Sequence, residues 1–162
     1  MKRLVCVSVI ALMVAVGTGC NAQGRQPRLT MATITPARLR PGDTAVLTVK
    51  VERDRFHIVD KVSGVVREDR HTTFNLKDDG NPPDAEAGDG IWSMLVTVPF
   101  TAPPGGFTLE LSGYDAQGSV IPVRGPQGGE MPMSTSLVFS IEHPVAEDAE
   151  QGTPENQSAG SK

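Results

Sequence analysis

The sequence predicts an all-β chain, folded as an antiparallel β-sandwich of about seven strands. Three observations predict it. Short runs rich in Val, Thr, Ile and Phe alternate with clusters of Gly, Pro and Asp. Several of those runs change from apolar to polar at every second residue, the period of a half-buried strand. No window keeps a 3.6-residue apolar period over three helical turns. A sheet that is apolar on one face must cover that face, and without helices the cover is a second sheet.

The first strands are "LTMATI" and "TAVLTVKV", separated by "TPARLRPGD", in which Pro41 and Gly42 mark a turn. In the second run Ala45, Leu47, Val49 and Val51 share one face and Val46, Thr48 and Lys50 the other, so the odd-numbered face is the buried one. "FHIVDKVSGVV" (56–66) and "HTTFNL" (71–76) have strand composition with imperfect alternation. "IWSMLVTVP" puts Trp92, Met94, Val96 and Val98 toward the core, with Ile91, Ser93, Leu95 and Thr97 outside. "GGFTLELSGYDAQGSVIPV" sends Phe107, Leu109 and Leu111 to one side, turns at "DAQG" and returns as a hairpin. "RGPQGGEMPM", dense in Gly and Pro, reads as a mobile loop, and "STSLVFSIE" closes the sheet with Leu137, Phe139 and Ile141.

The two ends have a different character. "MKRLVCVSVIALMVAVGTGC" opens with Lys2 and Arg3, continues with an apolar run from Leu4 to Val16 and ends in small residues, the layout of a signal peptide. The run is too short for an ordinary membrane-spanning helix of about 20 residues. Gly19–Cys20 resembles the cleavage site of bacterial lipoproteins, which implies residues 1–20 as a lipoprotein-type signal peptide and Cys20 as the lipid attachment, a membrane anchor in the cell envelope at the outer membrane or cell surface. Gly17 stands where that site usually carries a branched aliphatic residue, and ordinary cleavage after Ala22, releasing a soluble periplasmic or secreted protein, is the alternative. Residues 21–28 read as a flexible tether, 29–143 as the sandwich and 144–162, with Glu147, Asp148, Glu150 and Glu155, as a disordered acidic tail.

Composition excludes several functions. The cysteines are Cys6 and Cys20, so residues 29–143 have no internal disulfide and the fold rests on its core. Removing Lys2 and Arg3 with the signal takes the formal charge from −4 to −6, which leaves nothing basic to hold nucleic acid. His57, His71 and His143 are not at zinc-ligand spacing, no serine sits in a Gly-x-Ser-x-Gly elbow, and no phosphate-binding glycine motif occurs. No acid–base pair stands apart from the solvated charges, so the expectation is that the protein is not an enzyme. Aromatic residues make up 4% of the chain, too few for an evident sugar-stacking platform.

One stretch is chemically pointed. "LKDDGNPPDAEAGDGIW" (76–92) holds Asp78, Asp79, Asp84, Glu86 and Asp89 together with Gly80, Gly88 and Gly90. Asp side chains and glycines turn a chain tightly by accepting backbone N–H groups and by adopting positive φ. Carboxylates this crowded also repel unless screened, and calcium takes six to eight oxygen ligands. The spacing is not that of an EF-hand. Turn chemistry without a cofactor is the first reading; the second is a calcium site with Asp79, Asp84 and Asp89 as ligands.

With "TTFNLKDDGNPPDAEAGDGIWSMLVTVP" and "PPGGFTLELSGYDAQGSV" together, residues 30–142 resemble a module of secreted bacterial proteins with immunoglobulin-like or fibronectin-like domains. Leu76, Asp78, Asp79, Gly80, Asp84, Gly88, Asp89, Gly90 and Trp92 carry the first part of the likeness, and Gly106, Phe107, Leu109, Leu111, Asp115 and Gly118 the second. The resemblance implies an immunoglobulin-like fold and export, and it implies no activity, because such modules serve as spacers, adhesin parts and appendages of enzymes. The expected function is therefore a non-enzymatic cell-envelope lipoprotein, structural or protein-binding, whose partner is the membrane and an envelope protein or polysaccharide. A calcium-dependent or carbohydrate-binding accessory domain is the alternative.

Overall fold

The alternation in the third strand shows how the sandwich is built. In the computed structural model, which describes residues 26–143, Thr44–Glu52 (β3) buries Ala45, Leu47, Val49 and Val51 and leaves Val46, Thr48 and Lys50 half-covered. On one side β3 pairs antiparallel with Arg28–Thr35 (β1), and on the other with Ile91–Thr97 (β6), giving the three-stranded sheet β1-β3-β6. The facing sheet contains Arg38–Leu39 (β2), Lys61–Val66 (β4), Thr73–Leu76 (β5), Gly105–Tyr114 (β7) and Ser134–Ile141 (β10), in the order β2-β10-β7-β4-β5. Pro122–Arg124 (β8) and Glu130–Pro132 (β9) form a separate hairpin.

In immunoglobulin-like terms β1, β3 and β6 stand as strands A, B and E, facing β10, β7, β4 and β5 as G, F, C and C′. The all-β, immunoglobulin-like sandwich is thus as expected, with two corrections. There are ten strands among the described residues rather than seven, eight of them in the two main sheets. The pairing is not wholly antiparallel, because β2 runs parallel to β10, with Leu39 opposite Ile141. A chain that turns after β1 at Pro36 and crosses to the other sheet arrives beside β10 in the same direction, and Leu39 is buried there.

The core is the space between the sheets. Leu47 and Val49 from one side meet Val62, Leu109 and Leu111 from the other, all shielded from solvent. Leu109 pairs across to Leu137 and Phe107 to Phe139, whose rings stack at 5.6 Å. In β6 Trp92, Met94 and Val96 are half-buried and pack against the core from its border, and Val98, just past the strand, is fully buried; Ser93, expected outside, is also buried, where the Lys77 backbone pairs with it.

Three local expectations change. Residues 53–60 form a loop, with the Asp54 carboxylate accepting the Ile58 and Val59 N–H groups, and β4 starts only at Lys61. "RGPQGGEMPM" is not irregular: Gly125 N–H donates to Gly129 C=O at 2.7 Å within the β8–β9 hairpin, and Met133 plugs the core against Gly113. The chain after "DAQG" pairs back on β7 only at Tyr114–Val120 before leaving for that hairpin.

The tether expected over 21–28 is shorter at its end. Arg28 already belongs to β1, paired with Glu52 through its guanidinium at 2.7 Å, and the Gln26 side chain exchanges two hydrogen bonds with the Arg124 backbone. The signal peptide, Cys20, residues 21–25 and the acidic tail at 144–162 lie outside the described residues.

Candidate functional site

The acidic loop connects the two sheets. After β5 the chain leaves its own sheet, and at Lys77 it exchanges two backbone hydrogen bonds with Ser93 of β6, 2.9 and 2.7 Å. Everything between those residues must turn back on itself, and the aspartates do the turning. Asp78 accepts the Gly88 N–H on Oδ1 (2.6 Å) and the Gly90 N–H on Oδ2 (3.0 Å), closing the loop at its base. Asp89 Oδ1 accepts Ile91 N–H at 2.7 Å, and Asp84 Oδ2 accepts Gly80 N–H at 2.6 Å.

The three carboxylates of Asp78, Asp84 and Asp89 converge, each offering an oxygen within 4.8 Å of the others. Of the residues expected to meet, Asp84 and Asp89 do so, and Asp79 is replaced by Asp78. The reason is local: Asp79 is engaged elsewhere, accepting Asn81 N–H at 3.0 Å and lying 3.5 Å from Lys77 Nζ. The Asn81 N–H first, and Lys77 beside it, hold the Asp79 carboxyl below its ordinary range. Asp84 differs from its neighbours in being 6% exposed, with Oδ1 making no hydrogen bond. Asp78 and Asp89 also border a small hollow with Asp54, His57 and Trp92, so the 53–60 loop packs beside the acidic loop.

At the other end of the sandwich the sheets part around an apolar cleft of about 620 Å³, lined by Ile34, Leu39, Val66, Phe74, Phe107 and Phe139 among others. Glu68 and Asp69 stand at its rim. The Thr108 N–H, bonded to Glu68 Oε2 at 2.8 Å, lowers the Glu68 carboxyl; the Thr72 hydroxyl at 2.6 Å, and then the His71 N–H, lower that of Asp69. A carboxyl whose folded pKa is depressed adds stability above its unfolded pKa and loses it as pH falls through the folded value. Glu52, lowered by Arg28, and Asp79 act in the same sense. The melting temperature is therefore expected to be level near neutrality and to fall below about pH 4.5, with a shallower fall in the Glu68→Gln/Asp69→Asn double variant, measured by thermal denaturation across pH.

His143 Nε2 lies 2.8 Å from the Ala102 carbonyl, at the cleft end, far along the chain from His57. The freely exposed aromatics are Phe56 (88%) and Phe100 (83%), one in the β3–β4 loop and one in the β6–β7 loop, at opposite ends of the sandwich. They do not form one stacking surface.

No protein-family model matches the sequence, and neither does any curated protein. Among solved structures, the chain is similar to three of very different kinds. Pseudomonas fluorescens alkylpurine DNA glycosylase AlkC, bound to DNA containing an abasic site analog, is 15% identical with a TM-score of 0.41 over 71% of this chain, which spans only 30% of the glycosylase. The CARDB domain of a Pyrococcus furiosus protein in complex with di-metal ions is 11% identical, TM-score 0.38, covering 73% of this chain and 89% of that one. AggA, the major subunit of aggregative adherence fimbriae type I of Escherichia coli, is 14% identical, TM-score 0.37, covering 74% and 96%. Likeness at this level says nothing about activity.

Proposed function

We propose that the protein is a non-enzymatic, lipid-anchored module of the bacterial cell envelope, structural or protein-binding, held by Cys20. The observation that carries the reading is where the chain enters and leaves the sandwich. β1 begins beside Glu52, at the end that carries the 53–60 loop, the acidic loop and the β8–β9 hairpin, whereas β10 finishes beside Gly105 at the cleft end. Residues 21–25 separate Cys20 from Gln26, and a chain reaches at most about 3.6 Å per residue, so the anchor holds the first end within roughly 20 Å of the bilayer. That end carries the exposed Phe56 and Ile58, flanked by Arg53 and Arg55, and the apolar cleft and the exposed Phe100 are at the opposite end of the sandwich.

The carboxylates support a non-enzymatic reading. Asp43, Asp54, Asp69, Asp78, Asp79 and Asp115 each accept neighbouring backbone N–H groups, an employment in turns rather than in proton transfer.

The test is fractionation of cells making the wild type and Cys20→Ser. The wild type is expected in the membrane fraction, released only by detergent and labelled by a fatty-acid precursor, while Cys20→Ser is expected in the soluble fraction without label. A soluble wild type whose N-terminus lies beyond Cys20 would overturn the anchor.

A further inference from the structure

We infer that Asp78, Asp84 and Asp89 bind one divalent cation of the calcium class, which ties the loop between β5 and β6 into a single unit. Two observations meet at this point. The first is convergence: residues from the start, middle and end of the loop bring carboxylate oxygens within 4.8 Å of one another. Ligands held at 2.3–2.6 Å from one calcium ion lie at most about 5 Å apart, so three carboxylate oxygens within 4.8 Å of one another are within reach of one such ion.

The second observation is independent of the clustering. Asp84 is more than nine-tenths buried, and its Oδ1 has no hydrogen-bond partner, whereas Oδ2 accepts Gly80 N–H. A buried carboxylate oxygen without a partner costs stability, and the groups beside it are two more carboxylates, which accept hydrogen bonds and donate none. A cation supplies what the protein does not: a partner for Oδ1 and a counter-charge for three acids. Asp78 is already oriented by Gly88 and Gly90 N–H and Asp89 by Ile91 N–H, each through an oxygen that keeps a second lone pair. Asp89 is exposed, so water completes the six to eight ligands from its side. Binding therefore requires little rearrangement of the loop.

The inference does not rest on the lipid anchor, and the purified chain from residue 21 onward with its tail serves for the test alongside the full-length protein in detergent. Calcium is titrated calorimetrically, and terbium, a luminescent substitute, is excited through Trp92, the single tryptophan of the chain and a neighbour of Asp78 and Asp89. Saturable one-to-one binding is expected, with a dissociation constant of about 0.1–1 mM, as in extracellular modules. At hundredfold excess the melting temperature is expected to rise by roughly 5–10 °C over a sodium chloride control of equal ionic strength.

Asp89→Asn keeps the acceptor for Ile91 N–H and alters an exposed residue, so it is expected to fold and to weaken calcium binding by at least about tenfold through loss of a charged ligand. Asp79→Asn lies outside the triangle and is expected to leave the affinity within about threefold, since it changes only a nearby charge. Absence of saturable binding up to about 10 mM, well beyond the range for extracellular sites, overturns the inference. So does a thermal response reproduced by sodium chloride. Equal affinity in Asp89→Asn and the wild type, or a loss in Asp79→Asn as large as in Asp89→Asn, overturns the ligand set.

Discussion

Replacing Leu111 by alanine is expected to remove about 3–4 kcal/mol of folding stability, the range for leucines at the centre of a close-packed core. Leu111 is 0% exposed and sits in the middle of β7, the strand that both β4 and β10 pair with. Its Cδ2 lies 2.9 Å from where a Cβ on Gly64 would be, and Gly64 is its partner on the neighbouring strand β4, which has no side chain there to crowd it. Truncating Leu111 opens a hole over a glycine, which has nothing to move into it. With no cysteine in residues 26–143, no crosslink limits the unfolded chain, and the loss falls on a total of about 5–15 kcal/mol. Urea unfolding checks it: the midpoint should fall at unchanged slope. A loss under about 1 kcal/mol would mean that neighbouring side chains collapse into the space.

The acidic loop offers the second large effect, in a comparison of two glycines. Gly90 has φ +83°, and a Cβ on it would stand 2.9 Å from the Val51 carbonyl oxygen. Its C=O accepts Val51 N–H at 2.8 Å and its N–H donates to Asp78, so the chain cannot move aside without breaking one of these bonds. Gly90→Ala thus adds the left-handed penalty, about 1–2 kcal/mol, to a displaced contact, and a total above about 2 kcal/mol is expected. Gly88 has φ +77° and open space around its missing Cβ. Gly88→Ala is expected to cost only the conformational term, about 1 kcal/mol, and Gly88→Asn less, because asparagine tolerates that region. Equal losses at the two positions, measured by the same unfolding experiment, would show that the contact with Val51 has room to relax.

The strands that could be read from the sequence were those with unbroken alternation. β3 and β7 place their inward residues where a period of two requires, since each strand is straight over the residues that matter. β1 defeats the same rule. Leu29 and Ile34 have opposite parity yet both are buried, because the register shifts between Thr30 and Thr33 around Met31, whose φ is +51°. A bulge of this kind carries no glycine or proline to announce it. Trp92 lies on the inward face, as the alternation of β6 requires, but its depth depends on the two loops that border it, and they cover it only in part.

By itself the sequence determined that the described chain is all-β, which face of β3, β6 and β7 turns inward, and that a tight acidic turn lies between residues 77 and 91. Those properties follow from side-chain period and turn chemistry, which are local. Only the tertiary structure decided which sheet each strand joins, that "RGPQGGEMPM" pairs with itself while Met133 anchors it, and that Asp78 rather than Asp79 faces Asp84 and Asp89. Adjacent residues 78 and 79 are equivalent as letters. Their side chains part because Asp78 is drawn to the amides of Gly88 and Gly90, ten and twelve residues away, whereas Asp79 finds its donor two residues on at Asn81. Which of two neighbouring carboxylates reaches across a loop depends on how the loop's far side is held, and here β6 holds it through the Lys77–Ser93 pairing.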